Sequence, residues 1–591
     1  STRPTTGCSG ATCPCGGSVT DAEPPAGRAS GGWTLPREAG WLIAGFAALV
    51  PAWGLRGAPG PLYEEGFNVV HAELVLGGQT PGVDFHALYG PLGPWLMAGW
   101  FKLVGPSIGA QRVIGALLLI AIVLGVRQLL RPWGRNVATV AAVVTSVVVY
   151  AQGSLMAVSW WYGYAAVIWG VLLVRSAGPA TSPEEGDVRP TPWETVRLVA
   201  GGLLFGLALG ARVDLALAVA AAGGAALWAH HDRTAFRSVL GRVAAGGAVG
   251  LIPLAAYIWL AGPGRAWRVL VVDPVFTLRP YRTLPPPSFF ELQGLNRSLR
   301  LAPDWPLPAP GLAAQLALWF WISVAAVALL VTVAAILRRE QTALVPVAAL
   351  ALATLPQLLQ RPDPGHLVLV TAIPLAALPV SCSLAVGLWR RRRAGATGGA
   401  APGIVPARPM GSIGPAWLAL TPAIVILLIP ALTLGPWLRA VTGEPGRSAT
   451  DVTVGDRSLL VPTSLGPPIQ QVVTELAARA QPGDLMIVTP GDLTRAYNNW
   501  TALYTLFPKL TVGTYHSEMD PGFTNVEGST LPDELARADW VLVSPALPQL
   551  REANRSAEAG EPAAQRVFNR RFCPVVETQV LSLWGVCPTE G

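Results

Sequence analysis

GAQRVIGALLLIAIVLGVR, residues 109–127, is the stretch that decides the fold. From Val113 to Val126 it carries no charge, and Leu, Ile and Val dominate it. A helix needs about 20 mostly apolar residues to cross roughly 30 Å of hydrocarbon. Runs of that kind recur at roughly 38–56, 109–127, 136–152, 158–175, 195–211, 213–230, 240–261, 313–337, 342–359, 367–389 and 415–438. They predict a polytopic α-helical membrane protein with about 11 transmembrane helices. The run at 91–103 is shorter and interrupted by Gly and Pro, so it reads as an interfacial or re-entrant helix leading into the second span.

Composition agrees. Hydrophobic residues make up 51% of the chain and charged ones 13%, about half the share usual in soluble domains. Mean hydropathy is +0.45. The 22 Trp suit rings at the membrane interface, and 64 Gly with 55 Pro suit helices interrupted by structured loops. Much of the net charge of +7 falls in short loops beside span ends, so it implies no nucleic-acid partner.

Those loops orient the chain. Arg127, Arg131 and Arg135 follow the second span, Arg233, Arg237 and Arg242 the sixth, Arg338 and Arg339 the eighth, and the arginines at 390–393 the tenth. Lys and Arg favour the cytoplasmic side, so even-numbered spans end inside. The N-terminus is then cytoplasmic. The loops 57–108 and 262–312 and everything after the last span are extracytoplasmic. Residues 1–35, with Cys8, Cys13 and Cys15 among Gly, Ser, Thr and Pro, read as a disordered cytoplasmic leader. The apolar run near Trp41 reads as a first span and not as a processed signal. Residues 36–440 form the membrane domain and 441–591 a separate α/β domain.

That last domain alternates helical and extended patterns: 469–479 helical, 485–489 extended, 493–506 helical, 510–514 extended, then a helix closing at 535–539 and strands at 540–544 and 576–583. Such alternation predicts a sheet covered on both faces. The domain has no Gly-x-Gly-x-x-Gly fingerprint and no Gly-x-Ser-x-Gly elbow, so it reads as a support or acceptor-binding domain without chemistry of its own. Asn499-Trp500-Thr501 and Asn554-Arg555-Ser556 fit the glycosylation acceptor pattern. Cys573 and Cys587 form a disulfide if the domain lies outside the cell; otherwise they are two core thiols.

The chemistry points to the first outer loop. Glu64 and Glu65 follow the first span closely, and Asp84 comes twenty residues after Glu64. The mostly apolar stretch 67–76 between them is long enough for a helix lying along the membrane, which would bring the acidic positions back together. A carboxylate near a low-dielectric surface is costly unless it is paired, metal-bound or used. Two hinges on the same side carry further charge: Arg212 with Asp214 between spans five and six, and Arg361, Asp363 and His366 between spans nine and ten. Loop 262–312 adds Arg265, Arg268, Arg279, Arg282, Arg297 and Arg300 against Asp273, Glu291 and Asp304, an excess that suits an anionic headgroup. Arg is the better bidentate ligand for phosphate. A carboxylate that deprotonates an acceptor hydroxyl, with Arg or a bound cation steadying a departing phosphate, permits glycosyl transfer.

Pro61-Leu62-Tyr63-Glu64-Glu65-Gly66, then Gly77-Gly78-Gln79-Thr80-Pro81-Gly82-Val83-Asp84-Phe85, then Tyr89-Gly90-Pro91-Leu92-Gly93-Pro94 and a span resembles the GT-C superfamily of membrane glycosyltransferases. In its lipid-phosphate-sugar-dependent members an Asp-Glu pair after the first span precedes a Gly-x-x-Pro-Tyr-x-Asp-Phe-like and a Tyr-Gly-Pro-like segment. Glu64 stands where the pair's Asp is usual, Glu65 at its Glu and Asp84 at the later Asp. The tail resembles, less specifically, extensions on actinobacterial cell-wall arabinosyl- and mannosyltransferases. The resemblance implies a polyprenyl-phosphate-linked sugar donor, a cell-envelope glycan or glycolipid acceptor, inversion at the anomeric carbon, and a divalent cation such as Mg or Mn with Glu65 and Asp84 as possible ligands. Within it the general base is Glu64 or Glu65, with Asp84 next. Arg212, Arg361, His366 and Arg282 would bind the donor phosphate, supported by Asp214, Asp363 and Tyr89. The competing readings are a lipid-linked sugar transporter or flippase, for which no internal repeat is evident, and a non-catalytic envelope-assembly scaffold.

Overall fold

The computed structural model describes residues 36–177, 191–230, 236–284, 345–361, 366, 370–382, 434–544 and 554–588. The expected spans at 313–337 and most of 415–438, Asp363, and Arg297 and Arg300 lie outside the described residues.

Seven helices open the membrane domain: α1 (Arg37–Leu55), α2 (Glu64–Leu76), α3 (Leu92–Val104), α4 (Ile108–Leu130), α5 (Arg135–Val149), α6 (Ser159–Ser176) and α7 (Pro192–Ala211). The residues at their ends explain several boundaries. The Ser107 side chain caps α4 by accepting from the Ala110 amide at 3.0 Å. Thr191 and Glu194 form a reciprocal capping box at the start of α7, with Pro192 at its first position. After α7 come α8 (Val213–Trp228), whose middle widens to a π-helix over Val219–Gly223, and the pair α9 (Phe236–Gly250) and α10 (Ile252–Ala261), bent by 41° at the break before Pro253. The later helices are α11 (Val345–Gln360), α12 (Val370–Cys382) and α13 (Leu434–Thr442). Four helices are long and apolar enough to cross a membrane, or five if the bent pair is one span, among the described residues.

Small residues let α7 and α9 meet backbone to backbone. A Cβ on Gly202 would lie 2.0 Å from the Val243 carbonyl oxygen, and one on Gly250 would lie 2.2 Å from that of Leu203. Without a hydrophobic drive between helices in lipid, such close approach is what holds them.

The C-terminal domain begins with an antiparallel hairpin of β1 (Ala449–Val454) and β2 (Arg457–Pro462), an element beyond those the alternation predicts. Then follow α14 (Gly466–Arg479), β3 (Leu485–Pro490), β4 (Thr511–Val512), α15 (Leu531–Arg537), β5 (Trp540–Ser544), α16 (Ala563–Arg571), β6 (Phe572–Glu577) and β7 (Ser582–Val586). The sheet order is β4-β3-β5-β7-β6, with the first two pairings parallel and the last two antiparallel. The expected helix at 493–506 reduces to a 3-10 helix over Thr501–Leu506. Cys573 and Cys587 are joined in a disulfide across the β6–β7 hairpin.

This domain is fused to the loop that follows α1. A Cβ on Gly66 of α2 would lie 2.0 Å from the Ala502 amide nitrogen, so α2 lies flush on the 3-10 helix. The Ala502 amide donates to the Leu62 carbonyl at 2.8 Å, and the His86 amide donates to the Tyr515 carbonyl at 2.6 Å. The apolar side chains of α2 and α3 share one core with β1, β2, α14 and β3.

Candidate functional site

The site lies where four pieces of chain meet: the first loop, the end of α7, the short helix Arg279–Arg282, and the tail loop 514–525. Local packing fixes each piece. Gly90 lies against the end of α7, its amide donating to the Ala211 carbonyl at 3.1 Å, and a Cβ there would strike the Gly210 oxygen at 2.1 Å. That contact delivers Tyr89 to Arg212, whose guanidinium lies 4.4 Å from the Tyr89 ring centre and 5.0 Å from that of Trp160. Arg212 forks onto Asp214 at 2.9 and 2.7 Å, and Gln357 of α11 donates to the same carboxylate at 2.7 Å.

Arg282 approaches from the other side. Its Nη2 donates to Asp520 Oδ1 at 2.6 Å, and Arg361 Nη1 donates to the Arg282 main-chain oxygen at 2.9 Å. The charge of Arg282 is felt by both Tyr63 and Tyr89, and that of Arg212 is opposed by Arg282. Arg212, Arg282, Arg361, Asp214 and Tyr89 are therefore gathered in one place. His366 is half-buried.

The acids divide. Glu65 is buried, and both its oxygens are taken by Arg112 of α4, at 2.9 Å from Nε and 2.7 Å from Nη2. Burial pushes the Glu65 carboxyl up, against the opposing pull of Arg112. Glu64, one residue earlier, is half-buried, and its charge is felt by Glu518. Asp84 is exposed and accepts from the Thr80 amide at 2.7 Å, closing its own turn. Glu65 with both oxygens on a guanidinium and Asp84 on its own backbone do not make the oxygen-rich set a divalent cation takes. Among the described residues no group of three or more His, Cys, Asp or Glu is arranged to hold a metal ion.

Sequence reasoning missed the tail's contribution. Tyr63 donates from its hydroxyl to Glu518 Oε1 at 2.9 Å. Burial, with Asp520 beside it, pushes Glu518 up to about 8, so it is mostly protonated at neutral pH. Burial would raise Asp520 too, but Arg282 and His86 outweigh it and hold that carboxyl down at about 2. His86 Nε2 lies 3.8 Å from Asp520 Oδ2, and its ring packs 4.2 Å from Phe523. The tail loop is bolted down by Asn499. Its fully buried amide donates to the carbonyls of Val488 and Ser517, both at 2.8 Å, and accepts from the Met519 amide at 3.1 Å. Thr501 donates to the Tyr63 carbonyl at 2.6 Å. The Asn499-Trp500-Thr501 triplet, which fits a glycosylation acceptor in sequence, instead joins the two acid-bearing loops. The available signal was Tyr515-His516-Ser517-Glu518-Met519-Asp520, which sets a Tyr, a His, a Glu and an Asp in one short stretch.

No family model matches the chain, and no curated protein matches it in sequence. Over its length it is similar to solved structures. ArnT from Cupriavidus metallidurans in the apo state is 13% identical, with 94% of this chain and 100% of that one covered at a TM-score of 0.49. The Archaeoglobus fulgidus oligosaccharyltransferase is 11% identical, with 91% and 72% covered at 0.44. The arabinofuranosyltransferase AftD from Mycobacteria is 13% identical, with 94% and 42% covered at 0.42.

Proposed function

We propose that the protein transfers a sugar from a polyprenyl-phosphate-linked donor to a cell-envelope glycan or lipid acceptor, on the outer face of the membrane and with inversion. The observation that carries this reading is the gathering of Arg212 and Arg282 around Tyr89, with Arg282 within electrostatic reach of Asp520 and of Glu518, which also feels Glu64. In the reaction the acceptor oxygen bonds to the anomeric carbon, the bond from that carbon to the phosphate oxygen breaks, and the phosphate leaves with the electron pair. Arg212 and Arg282 take the growing charge on the phosphate through charge-assisted hydrogen bonds, and Arg361 braces the Arg282 backbone. Glu64 takes the acceptor's proton: it is the first acid of the pair, half-buried at the start of α2 and within electrostatic reach of Glu518. The basic loops support a cytoplasmic N-terminus and an extracytoplasmic C-terminal domain.

The test is transfer of radiolabelled sugar from a panel of polyprenyl-phosphate sugars by the purified protein. Glu64→Gln should cut transfer by roughly 10²–10⁴, the usual worth of a positioned base, with the protein still folded. Wild-type turnover in that variant would remove Glu64 from the mechanism, and no transfer from any donor by the unaltered protein would remove the reading itself.

A further inference from the structure

The two guanidiniums assigned to the phosphate, those of Arg282 and Arg212, each already have a carboxylate of their own. Arg282 donates to Asp520 at 2.6 Å, and Arg212 forks onto Asp214 at 2.9 and 2.7 Å. Neither acid is there by default. Asp520 is supplied from the C-terminal domain, 238 positions along the chain, and is buried. Asp214 is held in turn by Gln357 from a separate helix. If the only demand were to attract an anion, each of these carboxylates would work against it, because an acid beside a cation cancels most of its field.

The transfer reaction gives that cancellation a use. On the reading proposed above, which this inference rests on, the donor is a phosphodiester with one negative charge. Once the bond from anomeric carbon to phosphate oxygen has broken, the spent lipid is a phosphomonoester whose second ionisation lies near pH 6, so it carries nearly two. Bare arginines would hold the product more tightly than the donor and stall the enzyme. We propose that Asp520 and Asp214 are specificity-determining residues: by matching Arg282 and Arg212 charge for charge, they keep the site from preferring the doubly charged monoester over the singly charged phosphodiester, so that the spent lipid can leave.

The experiment uses the full chain in nanodiscs of zwitterionic lipid at pH 7.5, with two probes, undecaprenyl phosphate and its methyl diester, and uncharged undecaprenol as reference. The unaltered protein should bind the two phosphate probes within about threefold of each other, and Asp520→Glu should keep that ratio. Asp520→Asn and Asp214→Asn should each shift the ratio toward the monoester by at least about fivefold, the worth of one unit charge about 4 Å away even at the dielectric of water. A ratio unchanged in both Asn variants, or both probes weakening together, overturns the inference. Asp214 has a side chain one-third exposed, so its variant carries the test if Asp520→Asn lowers the melting temperature. If the unaltered protein binds neither phosphate probe better than undecaprenol, the donor reading itself fails.

Discussion

The loop after α1 and the tail loop 514–525 supply acids to the same candidate site, and they advertise themselves in opposite ways. The first loop sets Glu64 and Glu65 side by side at the end of a span, where any charge is conspicuous. The tail loop places Glu518 and Asp520 in a domain whose pattern is that of an ordinary α/β sheet. In the fold the conspicuous pair separates. A single residue's step along helix α2 turns Glu65 to α4, where Arg112 takes both oxygens, while Glu64 stays half-buried within electrostatic reach of Glu518. Adjacent residues on a helix lie about 100° apart, so a pair of acids in sequence is seldom a pair in space. The inconspicuous acids, fixed by Asn499, end beside Arg282 and Tyr63.

The largest effect should come from the side of the pair that is not chemical. Glu65→Gln leaves Arg112 buried without its counter-charge, and breaking a buried pair by removing one partner costs about 3–5 kcal/mol. Folded yield and melting temperature should both collapse. The double variant Glu65→Leu with Arg112→Met, which removes both charges, should recover most of the loss. A Glu65→Gln protein that stays folded and loses only turnover would exchange the roles of Glu64 and Glu65, making Glu65 the base.

Spans and strands are readable because period and length carry them: α1, α4, α5, α6 and α7 fall within a few residues of the apolar runs, and β3 and β5 sit where alternation puts them. Arg212 and Arg361 stand out in the sequence because charge at the end of an apolar run is rare, and Arg282 because its loop carries an excess of arginine. Pairing across distance is not readable. Nothing local says that Arg112 in a span turns to Glu65, or that Asp520 crosses 238 positions to reach Arg282. The glycines are hidden in another way. In a chain this rich in Gly and Ala no single glycine stands out, yet Gly202, Gly206 and Gly250 are the surface on which α7 and α9 touch. The 493–506 stretch has helical spacing, but its apolar residues serve contacts to the first loop, and Ala496 and Asn498 adopt left-handed backbone there.

A middle-sized effect tests whether Asn499 joins the two loops. Asn499→Ala removes three buried hydrogen bonds, each worth about 0.5–1.5 kcal/mol net, and leaves the Val488 and Ser517 carbonyls without that partner. The tail loop should then exchange amide hydrogens faster at Met519 while strands β3 and β5 keep their protection. Uniform loss of protection across the sheet would mean that Asn499 supports the domain as a whole and not the loop.

The smallest effect is a slope. Glu518 is pushed up to about 8 by burial, with Asp520 adding to it, whereas in the unfolded chain it ionises near the ordinary carboxylate value. Between those two values the unfolded state has lost its proton and the folded state still holds it. Stability therefore falls as pH rises, by at most about 1.4 kcal/mol per pH unit for one group, and levels off above the folded value. Asp520 runs the other way. Its carboxyl is held down at about 2 because Arg282 and His86 outweigh burial, so its contribution is present at neutral pH and is lost only as pH falls through that value. Between pH 5 and 8 only the Glu518 slope should be visible from this pair. Glu518→Gln cannot ionise and keeps an acceptor for the Tyr63 hydroxyl. Melting temperatures from pH 5 to 8.5 should therefore drop less steeply for the variant than for the unaltered protein, with the two curves closest at the acid end. Parallel curves would show that Glu518 is ionised in the fold at neutral pH, and the tail loop would then add a negative charge to the site that the first loop's Glu64 would have to tolerate.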